Sequence, residues 1–518
     1  MTKRLASIVV GDKLLLPVMS SRIRNFVPHA KFITHSGRLL AVMPHRLEEA
    51  KILRNLGINT PSPILSQYQW KGRFMPFKHQ RATAEFITMN SKCFVFNGLG
   101  SGKSKAVLWA ADYLSEVHLV KRVLIVCPVS VMGVWEDEIF STTPDKHVSV
   151  LTGTKDARLK RLAQGASICI INFDGVKTIR DALASGGFDM IIVDECSDAY
   201  RNSKTDRHKA LSSIIKPDTR LVMMTATPTT TGPTDAYGLA KLMNPREQMS
   251  FTRWRDMVMR KTGPFKWVVK PGADKAVHDL LQPAIKFATE DCIDLPPITY
   301  MYKKASMGVE QERAYKLMKR SLVAMIDGGQ VTAPNAAVLL TKLLQISLGV
   351  VKDGDGTPRY LDNDDRLAIL LETVHEAGNK AIVFVPYRAS QTQVRDYLVE
   401  QGLSAELVNG DTPQKERVEI FREFQSGDLN VLVAHPRTAA HGLNLTAAST
   451  VIWFGPTFSL EHFKQACARI ARPGQKNHMS VVLIYATGVE KEVFNTLKHK
   501  EVMLDSVMEL FKNLQSYD

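Results

Sequence analysis

Residues 93–104 read CFVFNGLGSGKS, a short apolar run that leads into a glycine-rich loop, and a helical pattern begins near Lys105. A glycine-rich loop between a strand and a helix lets backbone N–H groups converge on phosphate at the positive end of the helix. The pattern therefore predicts a P-loop, with Asn97 where a glycine is usual. Lys103 is expected to reach the outer phosphates, and the hydroxyl of Ser104 to ligate Mg²⁺. The predicted nucleotide-binding residues are Asn97, Gly98, Leu99, Gly100, Ser101, Gly102, Lys103 and Ser104.

Another apolar run, residues 190–193, ends in Asp194 and Glu195. An acidic pair of this kind is usually a strand end that meets solvent, but here a P-loop lies upstream in the same predicted sheet. We expect Asp194 to hold Mg²⁺ through water, and Glu195 to orient and deprotonate the attacking water. The pair predicts hydrolysis of the nucleotide rather than binding alone.

Similar apolar runs recur along the chain and alternate with helical stretches. Such near-continuous apolar strands indicate a parallel sheet covered on both faces. Two series of runs predict an α/β fold with two parallel-sheet lobes. The predicted strands are residues 93–96, 123–127, 168–172, 190–193 and 221–225 in the first lobe, and 381–385, 407–408, 431–434, 450–453 and 480–485 in the second.

The rest of the sequence predicts two smaller parts. Residues 30–57 hold two apolar runs around Ser36 and Gly37 and then an amphipathic helix, which predicts a small β-β-α module. A stretch rich in Lys, Arg and Met predicts a helical, basic insertion and linker between the lobes. The predicted domains are residues 1–75 (N-terminal module), 76–245 (first lobe), 246–360 (insertion and linker) and 361–518 (second lobe).

The composition is that of a globular protein with a polyanionic partner. The 518 residues include 67 Lys and Arg against 52 Asp and Glu, a net charge of +15, which favours nucleic acid first and an anionic membrane second. The 45% hydrophobic and 23% charged fractions exclude a wholly disordered or fibrous protein. The scattered cysteines indicate neither a zinc site nor a disulfide framework. No uncharged apolar run approaches the roughly 20 residues that cross a bilayer. We therefore expect a soluble, intracellular, cytoplasmic protein.

Further motifs stand in order along the chain. They are Phe77-Lys78-His79-Gln80, Val126-Cys127-Pro128 with Trp135 and Glu138, Asn172-Phe173-Asp174, Thr225-Ala226-Thr227-Pro228, Ile382-Val383-Phe384, Gly442-Leu443-Asn444-Leu445, and the run from Gln465 through Arg469 and Arg472 to Gln475. With the P-loop and the acidic pair, the series resembles the SWI/SNF-like DNA translocases among superfamily 2 helicases over residues 76–515. The resemblance implies two RecA-like lobes in tandem. It also implies a DNA-dependent ATPase that uses ATP and Mg²⁺, moves on duplex or branched DNA, and remodels replication forks or recombination intermediates.

The resemblance assigns further site residues. Gln80 stands where the family has an adenine-reading glutamine, Gly442 lies in a motif that contacts DNA and nucleotide, and Gln465 opens the arginine-finger motif. Arg469 and Arg472 are three residues apart, so they are expected to share one side of a helix and to meet the γ-phosphate when the lobes close.

The acidic pair is followed by Cys196 and Ser197, where the family has Ala and His, so the histidine that helps couple hydrolysis to motion is absent. This departure keeps a second class open, a nucleotide-gated DNA-binding scaffold without productive translocation. An RNA helicase is a third alternative.

The N-terminal module weakly resembles the small substrate-recognition domain of annealing and fork-remodelling enzymes, and its alternative is a stabilising cap. Some phage-encoded helicases share this arrangement, which would place the protein in the host cytoplasm. We expect a monomer that contacts the DNA backbone without sequence specificity. Candidate contacts are Lys105, Arg201, Lys204, Lys303, Lys304, Lys316, Lys319, Arg320, Arg388 and Thr446.

Overall fold

The computed structural model describes residues 7–17, 21–27, 29–245, 249–263, 267–292, 296–327, 333–352, 357–378, 380–439, 445–472 and 474–499. The contacts between residues divide the chain into two compact units, Met1–Cys292 and Ile293–Asp518. In these described ranges, no helix is both long enough and apolar enough to cross a membrane.

Strands and helices alternate through most of both units. The strands are β1 (Ile8–Val10), β2 (Lys13–Pro17), β3 (Lys31–His35), β4 (Arg38–Pro44), β5 (Lys92–Val95), β6 (Val123–Cys127), β7 (Val148–Val150), β8 (Ile168–Asn172), β9 (Met190–Val193), β10 (Arg220–Met224), β11 (Met259–Lys261), β12 (Trp267–Val269), β13 (Ala284–Ile285), β14 (Ile298–Lys304), β15 (Val350–Lys352), β16 (Pro358–Tyr360), β17 (Ala381–Phe384), β18 (Ala405–Val408), β19 (Val431–Ala434), β20 (Thr450–Trp453) and β21 (Met479–Tyr485). The α-helices are α1 (Ser21–Phe26), α2 (Leu47–Asn55), α3 (Ile64–Gln67), α4 (Lys78–Met89), α5 (Lys103–Glu116), α6 (Met132–Thr142), α7 (Lys155–Leu162), α8 (Phe173–Thr178), α9 (Arg180–Ala184), α10 (Cys196–Tyr200), α11 (Asp206–Ile214), α12 (Ala236–Met243), α13 (Phe251–Val258), α14 (Ala273–Leu280), α15 (Thr289–Cys292), α16 (Val309–Asp327), α17 (Ala333–Ser347), α18 (Asp364–Glu376), α19 (Arg388–Glu400), α20 (Gln414–Ser426), α21 (Pro436–Ala439), α22 (Leu460–Cys467) and α23 (Gly488–His499).

The first unit is built on a seven-stranded parallel sheet in the order β13-β5-β10-β9-β6-β8-β7. Its central strands are continuous apolar runs buried on both faces, as a parallel sheet between helices requires. The P-loop follows β5 and the acidic pair follows β9, with β10 between those two strands. Both motifs therefore lie at the carboxyl edge of the sheet, where open α/β sheets bind their ligands.

A buried carboxylate on the P-loop helix α5 contacts two other segments of the first unit. Asp112 accepts a hydrogen bond from the Tyr68 hydroxyl at 2.7 Å and pairs with Lys71 at 2.9 Å and Lys146 at 2.7 Å. Burial alone would raise the pKa of Asp112, but Lys146, Tyr68 and Lys71 together hold that pKa below its ordinary value. The carboxylate is thus ionised and stabilises the far end of α5.

The second unit contains a six-stranded parallel sheet in the order β14-β21-β20-β17-β19-β18. The α/β fold with two parallel-sheet lobes, typical of tandem RecA-like lobes, is therefore confirmed.

The second unit also contains a fully buried ion pair between α18 and α23. Nη2 of Arg366 donates to both carboxylate oxygens of Glu490, at 2.8 and 2.9 Å, and the guanidinium also donates to the Phe454 and Ile484 carbonyl oxygens. The Glu490 carboxylate in turn accepts from the backbone N–H of Thr487, and the backbone N–H of Glu490 donates to the Thr487 hydroxyl oxygen. The two bonds form a capping box at the start of α23. The pair joins two helices to the ends of β20 and β21.

The N-terminal module is a four-stranded antiparallel sheet in the order β1-β2-β4-β3, with α2 packed after it. Ser36 and Gly37 have φ of 50° and 75° and form the tight turn between β3 and β4. The predicted hairpin and helix are confirmed. Strands β1 and β2, which a turn at Gly11 and Asp12 connects, were not predicted from the sequence.

The stretch predicted as one helical insertion, residues 246–360, is instead divided between the two units. Its β13 pairs with β5 in the first sheet, and its β14 pairs with β21 in the second. These strands were missed because each lies at an edge of its sheet, where β13 is very short and β14 carries exposed Tyr and Lys side chains.

Candidate functional site

The P-loop turns tightly between β5 and α5, and glycine is required along its path. Gly100 and Gly102 have φ of 75° and 73°, in the left-handed region that other residues rarely adopt. A Cβ at Gly98 would overlap Oγ1 of Thr289, and a Cβ at Gly102 would overlap Nε2 of Gln80. Close approach by two neighbouring segments and the backbone conformation thus explain this glycine pattern.

Lys103 opens α5 and lies across the loop. Its ammonium Nζ donates to the carbonyl oxygens of Asn97 at 2.9 Å and Gly98 at 3.1 Å, and Ser104 follows it, half-buried. The positive end of α5 and the Lys103 charge therefore act on the same space, which fits the phosphates of a nucleotide. The Ser104 hydroxyl and the Asp194 carboxylate are the oxygen ligands that Mg²⁺ prefers.

The carboxylate of Asp194 is held by two donors. Oδ2 accepts from the indole Nε1 of Trp135 at 3.0 Å, and Oδ1 accepts from the backbone N–H of Glu195 at 3.0 Å. Burial raises the pKa of Asp194, and the positive charge of Lys103 opposes this shift. The structure thus brings Lys103 of the P-loop and the acidic pair into one electrostatic site. Glu195 has φ of 49°, a left-handed conformation at the tight connection from β9 to α10.

Ser197, which stands where the family has histidine, forms a side-chain hydrogen bond with a neighbouring motif. Its hydroxyl is buried and lies 3.0 Å from Oγ1 of Thr225, the first residue after β10. The two hydroxyls join the acidic segment to residues 225–228, the neighbouring motif. Burial raises the pKa of the Cys196 thiol well above its ordinary value, and the neighbouring Glu195 and Asp194 raise that pKa further.

Helix α4 supports the P-loop from one side. The ring Nε2 of His79 lies 2.8 Å from the carbonyl oxygen of Ser101, and the side-chain amide of Gln80 donates to the same oxygen at 3.1 Å. The Gln80 carbonyl oxygen accepts from the backbone N–H of Phe77 at 3.0 Å. Gln80, the predicted adenine-reading residue, therefore contacts the P-loop directly, and sequence reasoning missed the contact from His79.

Residues 284–289, here called the strap, lie beside the P-loop on the other side. The backbone N–H of Gly98 donates to the Phe287 carbonyl oxygen at 2.8 Å, and the Thr289 hydroxyl donates to the Leu99 carbonyl oxygen at 3.2 Å. In the sequence these residues fall within the predicted insertion, because no motif marks them. The one available signal was Gly98, whose missing side chain leaves the space that Thr289 fills.

The predicted arginine fingers belong to the second unit. Helix α22 ends at Cys467, and Arg469 and Arg472 lie in the turns that follow it. The prediction that they share a helix face is therefore wrong, since the downstream Pro473-Gly474 sequence disfavours a continued helix. Arg469 is 2% exposed and Arg472 is half-buried, so the two guanidinium groups have different surroundings.

Gln475 holds the arginine turn in place. Its side-chain amide donates to the carbonyl oxygens of Thr446 at 3.3 Å, Ala448 at 2.8 Å and Ile470 at 3.3 Å. This glutamine ends the motif in the sequence, and the structure shows that it acts on the backbone around Arg469 and Arg472.

The other two predicted residues of the second unit have separate outcomes. The side-chain amide of Gln465 donates to Oε1 of Glu461 at 3.0 Å, one turn earlier on α22. Gly442 lies outside the described residues.

Several candidate DNA contacts already take part in ion pairs. Such pairs between exposed or half-exposed side chains contribute little stability, so their cations can exchange a carboxylate for a phosphate at small cost. The pairs are Lys105–Glu138, Lys303–Glu376, Lys316–Glu312 and Arg388–Asp411.

A model of the SNF2-related domain matches residues 35–348, more than half of the chain. The chain belongs to the SNF2-related family. A model of the helicase conserved C-terminal domain matches residues 365–474. The protein is thus a SNF2-family DNA-dependent ATPase, which confirms the enzyme class that the ordered motifs predict.

Relatives of this SNF2-family protein include phage and animal proteins. Putative protein p41 of Acyrthosiphon pisum secondary endosymbiont phage 1 is 24% identical, and the match covers 85% of this chain and 99% of that protein. The mouse chromodomain-helicase-DNA-binding protein 1-like is 23% identical over 80% of this chain and 48% of its own length. The human DNA annealing helicase and endonuclease ZRANB3 is 22% identical over 91% of this chain and 42% of its own length. The chain thus spans nearly all of the phage protein and less than half of the two animal proteins.

Among solved structures, the Sulfolobus solfataricus SWI2/SNF2 ATPase core in complex with dsDNA is 20% identical. It matches with a TM-score of 0.42, over 86% of this chain and 96% of that one.

Proposed function

We propose that the protein couples ATP hydrolysis to movement along duplex or branched DNA, and that it remodels replication forks or recombination intermediates. One observation carries the proposal: the P-loop and acidic pair lie in one parallel-sheet unit, and the arginine motif lies in a second. If turnover needs residues from both units, each round of hydrolysis changes the relation between them. A DNA strand held by both is then drawn along stepwise.

The proposed roles follow from the chemistry of the site. Lys103 neutralises negative charge on the outer phosphates. Ser104 and Asp194 would hold Mg²⁺, which would supply further charge neutralisation. The indole N–H of Trp135 donates to the Asp194 carboxylate and fixes its position. Glu195 orients the attacking water and takes its proton.

Arg469 and Arg472 stabilise the negative charge that develops on the transferred phosphoryl group. Gln475 acts on both through the backbone of their turn. Because these arginines come from the second unit, hydrolysis depends on closure of the units.

Translocation is favoured over the scaffold alternative by the Ser197–Thr225 hydrogen bond. This pair connects the acidic segment to residues 225–228 at the position where the family histidine is missing. This hydrogen bond supports a link from hydrolysis to the rest of the first unit through side chains other than histidine.

The N-terminal module is proposed to recognise the DNA substrate. It carries the exposed cations Lys31, Arg38 and Arg46, which suit contact with phosphates. The human relative is a DNA annealing helicase, which supports a role on DNA whose strands separate and anneal.

The proposal is tested by ATP hydrolysis and strand displacement on linear duplex, forked and four-way DNA, with single-stranded DNA and RNA for comparison. We expect duplex and branched DNA to stimulate hydrolysis more than RNA does, and forked DNA to be remodelled in an ATP-dependent reaction. Equal or stronger stimulation by RNA would support the RNA helicase alternative instead.

A variant pair ties the activity to the P-loop. Lys103→Ala should abolish DNA-stimulated hydrolysis, because the charge that faces the outer phosphates is removed. Lys121→Ala is the matched control, since Lys121 is exposed and lies just before β6. It is therefore at the amino ends of the strands, opposite the carboxyl ends that carry the P-loop and the acidic pair. Unchanged turnover in Lys103→Ala would contradict the assignment of the nucleotide site.

A further inference from the structure

Asn97 takes the first position of the P-loop, where glycine is usual, and it is 1% exposed. Its Nδ2 donates to Oγ1 of Thr83 on α4 at 2.8 Å, and its Oδ1 accepts from the backbone N–H of Phe287 in the strap at 3.1 Å. Both ends of the amide are thus engaged, with partners on opposite sides of the loop. A glycine at this position makes neither bond.

The strap continues the sheet into the P-loop. The backbone N–H of Phe96 donates to Ile285 O at 2.8 Å, and that of Gly98 donates to Phe287 O at 2.8 Å, so the ladder runs past the end of β5. The Thr289 hydroxyl adds a bond to the Leu99 carbonyl oxygen. Backbone bonds therefore set where the strap lies, and Asn97 adds a side-chain bond to it.

The contact with α4 has a defined direction. The Thr83 hydroxyl donates its proton to the His79 carbonyl oxygen at 2.8 Å, so its oxygen accepts from Asn97. An amide satisfies Thr83 and Phe287 together, because it donates on one side and accepts on the other. A carboxylate can satisfy Phe287 alone.

We propose that Asn97 is a positioning residue that holds the P-loop between α4 and the strap in its phosphate-binding form. A loop with glycines at positions 98, 100 and 102 loses much conformational freedom when it orders, so an unbraced loop populates other conformations. Apparent affinity for a ligand falls by the fraction of molecules in the competent form. Asn97 therefore sets the affinity for the triphosphate, whereas Lys103 and Asp194 serve the chemical step. The inference rests on the proposed role of the P-loop.

The first test is steady-state ATP hydrolysis of the full chain on saturating duplex DNA. Asn97→Ala loses one buried and one partly buried hydrogen bond, and should raise the KM for ATP by about tenfold, with kcat within about threefold of the wild type. The control is Asn90→Ala, since Asn90 donates to Phe86 O at 2.8 Å at the far end of α4. It should lower the Tm without raising KM.

Two further variants at the same position sharpen the test. Asn97→Gly restores the usual residue, yet should raise KM as much as Asn97→Ala does. Asn97→Asp keeps the bond from Phe287 but loses the donor to Thr83 and adds negative charge near the phosphates, so KM should rise further than in the alanine variant.

The strap supplies an independent pair. Thr289→Val removes the hydroxyl that donates to Leu99 and should raise KM, and Thr289→Ser retains the hydroxyl and should behave as the wild type. If Asn97→Ala and Thr289→Val lower the Tm but leave KM unchanged, the positioning role is overturned.

The proposed function fails separately from this inference. If Lys103→Ala retains full turnover, the loop is not the nucleotide site and the proposed function is at fault. If Lys103→Ala is inactive and the Asn97 variants keep the wild-type KM, only the positioning role of Asn97 is refuted.

Discussion

Removing one member of the buried Arg366–Glu490 pair should unfold the second unit at a much lower temperature. Arg366→Met leaves the Glu490 carboxylate 0% exposed, with only the backbone and hydroxyl donors of residues 486 and 487. The substitution also removes the donors to the Phe454 and Ile484 carbonyl oxygens. An uncompensated buried charge of this kind costs about 3–5 kcal/mol.

For a unit of roughly 200 residues, each kcal/mol shifts the Tm by about 2–4 °C, so the expected decrease is roughly 6–20 °C. The double variant Arg366→Met/Glu490→Gln removes both charges and keeps a carbonyl oxygen for the helix cap. It should be more stable than Arg366→Met alone, because no unpaired charge stays buried.

The measurement is calorimetric unfolding of the full chain, with hydrogen exchange in β20 and β21 to assign the affected transition to the second unit. Arg388→Met is the matched control: Arg388 pairs with Asp411 at 2.8 Å, but both side chains are largely exposed, so the loss should stay below about 1 kcal/mol. The reasoning is refuted if Arg366→Met is no more destabilising than Arg388→Met, or if the double variant is the least stable of the set.

Four further substitutions have defined outcomes. Asp112→Asn should lower the free energy of unfolding by about 1–3 kcal/mol at pH 7. Because the folded pKa of Asp112 is depressed, the wild type loses this extra stability as the pH falls below about 4, and urea unfolding curves of the two proteins should converge there. A difference in stability that does not change with pH would contradict the pKa assignment. Ser197→Ala breaks the bond to Thr225 and should lower the amount of DNA strand displaced per ATP hydrolysed, with hydrolysis within about threefold; an unchanged ratio would exclude a coupling role. Arg469→Ala and Arg472→Ala should keep ATP binding in an equilibrium titration and reduce turnover by about a thousandfold. Because Arg469 is buried, Arg469→Ala should also lower the Tm. Normal turnover in either variant would remove that residue from the arginine-finger role.

The strands that the sequence predicted best lie in the sheet interiors. The predicted bounds of β6, β8, β9, β19 and β20 coincide with the observed ones, because strands buried on both faces require continuous apolar runs. In the two parallel sheets, the strands it missed are β7, β13 and β14, which lie at sheet edges, where one neighbouring strand is absent and the strand is very short or mostly exposed. Periodicity carries little information there.

The candidate site shows the same division between local and distant signals. The P-loop and the acidic pair are local motifs that follow apolar runs, so the local sequence predicted both and their place in one sheet. The strap reaches the loop from a separation of 190 residues, and no local pattern predicts that contact. The three-residue spacing of Arg469 and Arg472 predicts a helix, whereas the structure has turns there. A spacing of three fits a helix as well as it fits successive turns.

Displacement of a triplex-forming strand from duplex DNA tests the central claim, movement along DNA driven by ATP. The account predicts that the wild-type protein displaces the third strand only when ATP is hydrolysed. Lys103→Ala should displace none, and Lys121→Ala should match the wild type. DNA-stimulated ATP hydrolysis by the wild type without any displacement of the third strand would contradict the account.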